Sequence, residues 1–267
     1  MQQPVSLKII TLNTWKCDGN YALRMRITAE QLKHLKPDIV ACQECFYSVE
    51  GNADTLKFLA GELNMKYYFL PGREKKRLFE GKWIESLSGL GILSTYPIVS
   101  VRQFALPSIP EDNDRKVQQA VICLPNGENI TITNTHLTHL QEPAGFRKIQ
   151  AEALGRFVTA DKTYRYRLVC GDFNATLESA EIATFFKITA AIDTYEAGAG
   201  AAPKYSLAEA FGDNKMIGVD HIFALPLPGT DLYPKFINSS VVLNRPDEAT
   251  GLYPSDHFGI CTTMVLS

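Results

Sequence analysis

The sequence predicts an α+β fold in which two sheets pack together and helices cover them. Three observations carry this expectation. Strand-like runs at residues 98–104, 117–124 and 129–134 follow one another with no helix between them. Asn126-Gly127, between the last two, is a hairpin signal. Helical patterns come two at a time, at 21–35 and 54–63 and again at 144–158 and 179–186. A doubly wound parallel sheet is the alternative, and the hairpin counts against it. No composition break, linker or repeat interrupts the chain, so one domain over residues 1–267 is expected.

Taken in order, residues 7–12 form an apolar strand closed by Asn13-Thr14-Trp15. Within 21–35, Leu23, Ile27, Leu32 and Leu35 recur near helical spacing, and Lys36-Pro37-Asp38 stops the helix. Residues 39–42 are a buried strand running into Gln43-Glu44, and 54–63 is a second helix with leucines on one face. Residues 67–70 read as a strand, while the charged stretch 73–87 reads as an excursion loop carrying Phe79 and Trp83. Strands follow at 89–93, stopped by Tyr96-Pro97, and at the three runs named above. Residues 144–158 are helical, 168–170 a strand, 179–186 a short helix and 198–202 a small-residue loop. Strands at 219–224, 236–243 and 259–265 complete the order.

Composition narrows the class. The chain is 45% hydrophobic and 21% charged with net charge −2, an ordinary globular balance that advertises no global nucleic-acid field but leaves room for a local basic groove. No apolar run is long enough to span a bilayer. Met1 to Ser6 is polar, with no apolar leader. A cytoplasmic monomer is the expectation, although a leader removed beforehand would leave no trace. Cys42-Gln43-Glu44-Cys45 has the spacing of a redox pair or half a zinc site, but there is no second such pair. The six cysteines are therefore expected to be reduced, mostly core residues.

The chemistry concentrates in four polar clusters at the ends of apolar, β-branched runs: Asn134-Thr135-His136, Gly171-Asp172-Phe173-Asn174, Val219-Asp220-His221 and Ser255-Asp256-His257. Strand ends emerge at the rim of a rigid sheet, where several can share one pocket. Buried Asp and His are costly unless paired or metal-bound, so their recurrence needs a reason. In an extended segment Asp172 and Asn174 point to one face, an anionic acceptor beside a neutral donor; a plain Asx turn is the competing reading. His136 is either a phosphate contact or a core-edge histidine bonded to a carbonyl. Adjacent Asp and His point to opposite faces, so only one of Asp220 and His221 should face the site, and Asp256 and His257 should have different partners. Glu44 is a natural metal carboxylate or a surface residue in a turn, and Asn13 is a further strand-end amide. Arg73, Lys75, Lys76, Arg77 and Lys82, interleaved with Phe79 and Trp83, read either as a surface for a phosphate backbone or lipid headgroup or as a solvated loop. Arg115-Lys116 and Arg147-Lys148 carry the same two readings, and Arg147 has the further option of pairing with an acid.

As a set, and in this order from Leu12-Asn13 to Ser255-Asp256-His257, these residues resemble the endonuclease/exonuclease/phosphatase family, the deoxyribonuclease-I-like proteins. Pro37-Asp38-Ile39-Val40 leading to Gln43-Glu44 adds weight. The resemblance implies a four-layer α/β/β/α sandwich of two mainly antiparallel sheets. It implies a phosphoesterase using Mg²⁺ or Mn²⁺, with Glu44 as principal metal ligand, Asn13 beside it and Asp256 near the metal. Asp172 would orient or deprotonate the attacking water, and Asn174 would hold a nonbridging phosphate oxygen. His257 would contact the scissile phosphate and serve in acid–base chemistry, with Asp220 orienting it. His136 would bind phosphate or aid the leaving group, and Arg115 is added as a substrate contact. The abasic-site repair branch carries a tyrosine-bearing motif where this chain has Asn134-Thr135-His136, so the expected substrate is instead a phosphodiester of nucleic acid or of a phospholipid headgroup. The competing expectation is a noncatalytic phosphate- or protein-binding module, which would be marked by loss of the metal carboxylate or the final histidine.

Overall fold

The computed structural model describes residues 6–201, 203–207 and 217–266. In chain order the elements are β1 (Ser6–Asn13), α1 (Tyr21–Leu35), β2 (Ile39–Ser48), α2 (Thr55–Leu63), β3 (Lys66–Phe79), β4 (Lys82–Ser94), β5 (Ile98–Ala105), β6 (Lys116–Cys123), β7 (Asn129–His136), α3 (Phe146–Ala160), β8 (Tyr166–Asp172), α4 (Ala180–Thr189), β9 (Ile192–Asp193), α5 (Thr194–Ala197), β10 (Asp220–Ala224), β11 (Lys235–Val242) and β12 (Gly259–Val265). They build two six-stranded sheets, ordered β11-β12-β1-β2-β4-β3 and β5-β6-β7-β8-β10-β9. Each sheet holds one parallel pair, β1 with β2 across α1 and β7 with β8 across α3, and is otherwise antiparallel. Among the described residues no helix is long and apolar enough to cross a membrane.

Side-chain alternation explains the layers. One face of the strands, including Leu7, Ile9, Ile39, Ile132, Leu168 and Ile260, packs between the two sheets. The opposite face of the first sheet, with Ile10, Leu12 and Val40, meets Leu32 of α1 and Leu56 and Leu59 of α2. The opposite face of the second, with Val169 and Phe223, meets Leu154 and Val158 of α3 and Phe185 of α4. This is the four-layer α/β/β/α sandwich.

One element departs from expectation. Residues 73–87 are no loop; they are the outer halves of β3 and β4, paired through Phe79↔Lys82 around the two-residue turn Glu80-Gly81. Both turn residues have positive φ, 49° and 78°, the geometry that matches strand twist in a tight hairpin. This ribbon is solvated over much of both faces, so it has little apolar alternation to betray it. Glu80-Gly81 was the available signal. The short β9 and α5 also went unread, and in the small-residue loop Ala202 lies outside the described residues, as do Met1 to Val5. The described cysteines are all unpaired, and all but Cys123 are buried, as expected of reduced core residues.

Candidate active site

The inward rows that fill the space between the sheets change chemistry as they reach one end of the sandwich. In β1 the row runs Leu7, Ile9, Thr11, Asn13; in β7, Ile130, Ile132, Asn134, His136; in β8, Tyr166, Leu168, Cys170, Asp172. The parallel pairs bring the C-terminal ends of β1 and β2, and of β7 and β8, to the same rim. The antiparallel neighbours arrive there by their N-terminal ends, with Asp220 of β10 opposite Asp172 and Ile260 of β12 opposite Thr11. Midway along this gradient, Gln43 donates to Asn134 at 2.7 Å, and Asn134 donates to the carbonyls of Cys42 and Gly91 at 2.8 and 3.0 Å. Asn134 is thus a bolt between the sheets, one layer below the mouth.

At the mouth, Asp172 is the hub. Its Oδ2 accepts from Asn13 Nδ2 at 3.0 Å and lies 3.3 Å from His136 Nε2 and 3.9 Å from His257 Nε2. Its Oδ1 accepts from the Asn174 backbone N–H at 2.8 Å. His257 Nδ1 lies 2.8 Å from Asp220 Oδ2, so the imidazole donates there and presents Nε2 to Asp172. Burial, with the nearby Asp220 charge, pushes the Asp172 carboxyl up to about 7 against the opposing pull of His257. Burial opposes the charged imidazole of His257, but Asp220 and Asp172 outweigh it and hold His257 protonated up to about 10. His136 goes the other way: burial and the Arg115 charge keep it neutral, well below the ordinary imidazole range.

Glu44 and Asp256 form the second part of the mouth. Glu44 sits in a bulge where β2 slips register against β4 between Cys42 and Cys45, with φ of 54°. Its carboxylate pairs with Lys16 at 3.0 Å. Burial lifts the Asp256 carboxyl above its usual range; His257 opposes this and the Glu44 charge adds to it. Glu44, Asp256 and the Asn13 side-chain oxygen supply hard oxygen donors, a set that suits Mg²⁺ or Mn²⁺, and a cation would relieve the repulsion between the carboxylates. Ligand atoms of Asp172, Asp220 and His257 lie within 4.8 Å of one another and are also able to hold a metal ion. Asp220 Oδ1 is buried with no hydrogen-bond partner among the described residues.

Asn174 is not extended: its φ of 48° makes Asp172–Asn174 an Asx turn, and its side-chain amide donates to the Leu137 carbonyl at 3.1 Å. Phe173 still alternates to the helix-side core, and the argument for the pair fails at Asn174, whose left-handed backbone ends the extended period. Gly171 is required before it, since a Cβ there would lie 2.2 Å from the Thr135 carbonyl oxygen. Arg115 lies at the rim, but it is held by both oxygens of Asp112 at 2.8 and 2.9 Å and by His139 at 3.2 Å. His221 points away from the site, leaving Asp220 as the one of the two that faces it. His221 is fully buried, 2.8 Å from the Ala175 carbonyl and 2.8 Å from Lys204. Arg147 pairs with Glu181 and donates to the Thr138 carbonyl, joining α3 to α4.

Sequence reasoning missed the supports. Arg24 of α1 is fully buried and donates to the carbonyls of Asp18, Thr14, Pro254, Trp15 and Lys16 at 2.9–3.1 Å. It thereby pins two consecutive left-handed residues, Trp15 and Lys16, and the segment entering Ser255-Asp256-His257. Its spacing with Thr28 and Leu32, on the buried stripe of the helix, was the signal. Ser206 accepts from the backbone N–H of Val219 and of Asp220 at 3.0 and 3.1 Å and so fixes Asp220. Lys16, which neutralises Glu44, had no sequence signal.

The family model described as Endonuclease/Exonuclease/phosphatase family matches residues 10–257. No curated protein sequence matches. An endonuclease/exonuclease/phosphatase family protein of Bacteroides thetaiotaomicron has a similar structure, with TM-score 0.75 at 19% identity over 99% of this chain and 99% of that one. A mannosyl-6-phosphatase of Bacteroides thetaiotaomicron VPI-5482 gives TM-score 0.73 at 18% identity over 97% of this chain and 100% of that one. TDP2 of D. rerio, complexed with a single-strand DNA product, gives 0.74 at 20% identity over 97% and 98%. At these identities the structures speak for the fold, while the family match spans nearly the whole chain: the protein belongs to the endonuclease/exonuclease/phosphatase family.

Proposed function

We propose that this chain is a divalent-metal-dependent phosphoester hydrolase that cleaves a phosphodiester, of nucleic acid or of a phospholipid headgroup, by in-line attack of water. One observation carries the reading: Asn13, His136, Asp172, Asp220 and His257, from five separate strands or strand ends, meet within hydrogen-bond or ion-pair reach, with Glu44 and Asp256 beside them. Membership of a family with phosphatase and DNA-processing structural neighbours supports phosphoester chemistry. The DNA product held by TDP2 suits a nucleic-acid substrate. The noncatalytic alternative loses ground because the metal carboxylate Glu44 and the final His257 are both in place.

In this reading Asp172 receives the proton of the attacking water, which its elevated pKa suits. His257, protonated and oriented by Asp220, contacts the phosphate and stabilises developing charge. His136, neutral, donates to the phosphate or the leaving oxygen. Asn174 offers its remaining amide N–H to a phosphate oxygen, and Arg115 lines the approach. Glu44, with Asn13 and Asp256, would hold Mg²⁺ or Mn²⁺, which supplies Lewis-acid neutralisation of the phosphoryl oxygens. Residues 1–267 are taken to act as one domain, a cytoplasmic monomer. The test is a panel of DNA, RNA, sphingomyelin and inositol phosphates with Mg²⁺ or Mn²⁺. Metal-dependent turnover of a nucleic acid or headgroup diester supports the proposal. Turnover of inositol phosphates alone overturns the diester assignment, and unchanged activity in chelator overturns metal dependence.

A further inference from the structure

The cleft at the mouth, about 430 Å³, runs from Glu44 and His136 along the β3–β4 ribbon. Most of its cations are neutralised within the protein: Lys16 by Glu44, Arg73 by Asp114, Lys76 by Glu85 and Arg115 by Asp112. Arg77 is different. Its Nη1 donates to Ser86 Oγ at 2.8 Å and its Nη2 to Ser88 Oγ at 2.9 Å. Ser86 is in turn fixed by the Lys75 carbonyl at 2.7 Å. Among the described residues no carboxylate lies within ion-pair distance of Arg77, and its Nε–H has no partner. Glu44 and Asp18 attract the guanidinium only from beyond ion-pair distance, so a half-buried cation anchored by two hydroxyls has no carboxylate in direct contact and keeps hydrogen-bonding capacity for a ligand. Lys75, two residues back on the same face of β3, also has no carboxylate partner among the described residues, and neither has Lys116 at the start of β6 in the facing sheet. The placement is built in: β3 shifts register between Pro71 and Arg73, and a Cβ on the intervening Gly72 would lie 2.9 Å from the Ser88 carbonyl oxygen.

We propose that Arg77, seated on Ser86 and Ser88 and flanked by Lys75, forms a second anion subsite in the cleft, so that the substrate is a phosphoester carrying a further phosphate. The identity of the first anion rests on the phosphoesterase reading above; the existence of the second does not. A neighbouring phosphate occurs along a nucleic-acid strand and in multiply phosphorylated sugars, so both sources enter the test.

The experiment is titration calorimetry, in chelator and again in Mg²⁺, of a nucleoside bisphosphate against its monophosphate and a hexose bisphosphate against its monophosphate. Wild type is expected to favour the bisphosphate of at least one pair by about tenfold or more. In Arg77→Gln that ratio falls to about one to two, and Arg77→Lys lies between. The pair showing the effect identifies the source. If Arg77→Gln melts early, Ser88→Ala carries the test, because it keeps the charge while freeing the guanidinium; the ratio should fall by about threefold. A wild-type ratio near one for both pairs, or a ratio unchanged in a folded Arg77→Gln, overturns the subsite. Mg²⁺-dependent hydrolysis of bis(p-nitrophenyl) phosphate is measured alongside. Arg77-dependent preference without hydrolysis keeps the subsite and removes the phosphoesterase reading, whereas hydrolysis without the preference does the reverse.

Discussion

Asp220→Asn is the substitution that separates a working Asp–His pair from a merely structural contact. It keeps the shape of the side chain and removes the charge 2.8 Å from His257 Nδ1. Burial alone pushes His257 down; Asp220 is the largest of the attractions that hold it up to about 10. Without that attraction burial pulls the imidazole down from about 10, with only Asp172 and Asp256 left to support its charge. A fall all the way to the ordinary imidazole value of about 6.5 would cut the imidazolium fraction at about pH 8 from nearly all to about 3%, which sets about thirtyfold as the upper bound on the loss in any step that needs the proton. A wrongly oriented ring adds to the loss. The assay is kcat/KM on bis(p-nitrophenyl) phosphate with Mg²⁺ across about pH 5 to 10. The alkaline limb should move down from about 10 in the wild type toward neutral pH in the variant. A variant that keeps the wild-type alkaline limb, with activity within about threefold throughout, would refute the reasoning.

Two further outcomes concern stability. Arg24→Lys keeps the charge but cannot reach five carbonyls; it should cost about 3–5 kcal/mol, read as a fall in melting temperature of roughly 6–20 °C, and a fall below about 2 °C would discount the clamp. Asp172 has a folded-state pKa raised from 3.8 to about 7, so between those values the folded state binds more protons than the unfolded chain and its stability falls as pH rises. In chelator, the difference in stability between wild type and Asp172→Asn should shift in the variant's favour as pH climbs through that window; a pH-independent difference would contradict it.

What the sequence disclosed depended on physics that is local. Strands buried on both faces, such as residues 39–42 and 168–170, announce themselves by apolar content, and alternation required that only one of Asp220 and His221 face the mouth, which is Asp220, the one the family resemblance named. The ribbon was lost because solvation removes the apolar pattern, leaving only Glu80-Gly81 as a clue. Asn174 was misoriented because a single left-handed residue breaks the two-residue period that the argument assumed. Arg24's helical spacing marked it as buried but not what it holds, because it reaches the motif segments through backbone carbonyls; Lys16 meets Glu44 only because the left-handed turn at Trp15-Lys16 brings the two together. Glu44 was named, but the bulge that turns it into the mouth had no local signature.

The most direct measurement compares Mg²⁺- and Mn²⁺-dependent hydrolysis of bis(p-nitrophenyl) phosphate by the wild type, Glu44→Ala and His257→Ala, with melting curves confirming that each is folded. If the mouth of the sandwich is a metal-dependent phosphoesterase centre, wild-type activity vanishes in chelator and both variants lose about a thousandfold or more. Activity that survives chelation, or persists in both folded variants, would contradict the account.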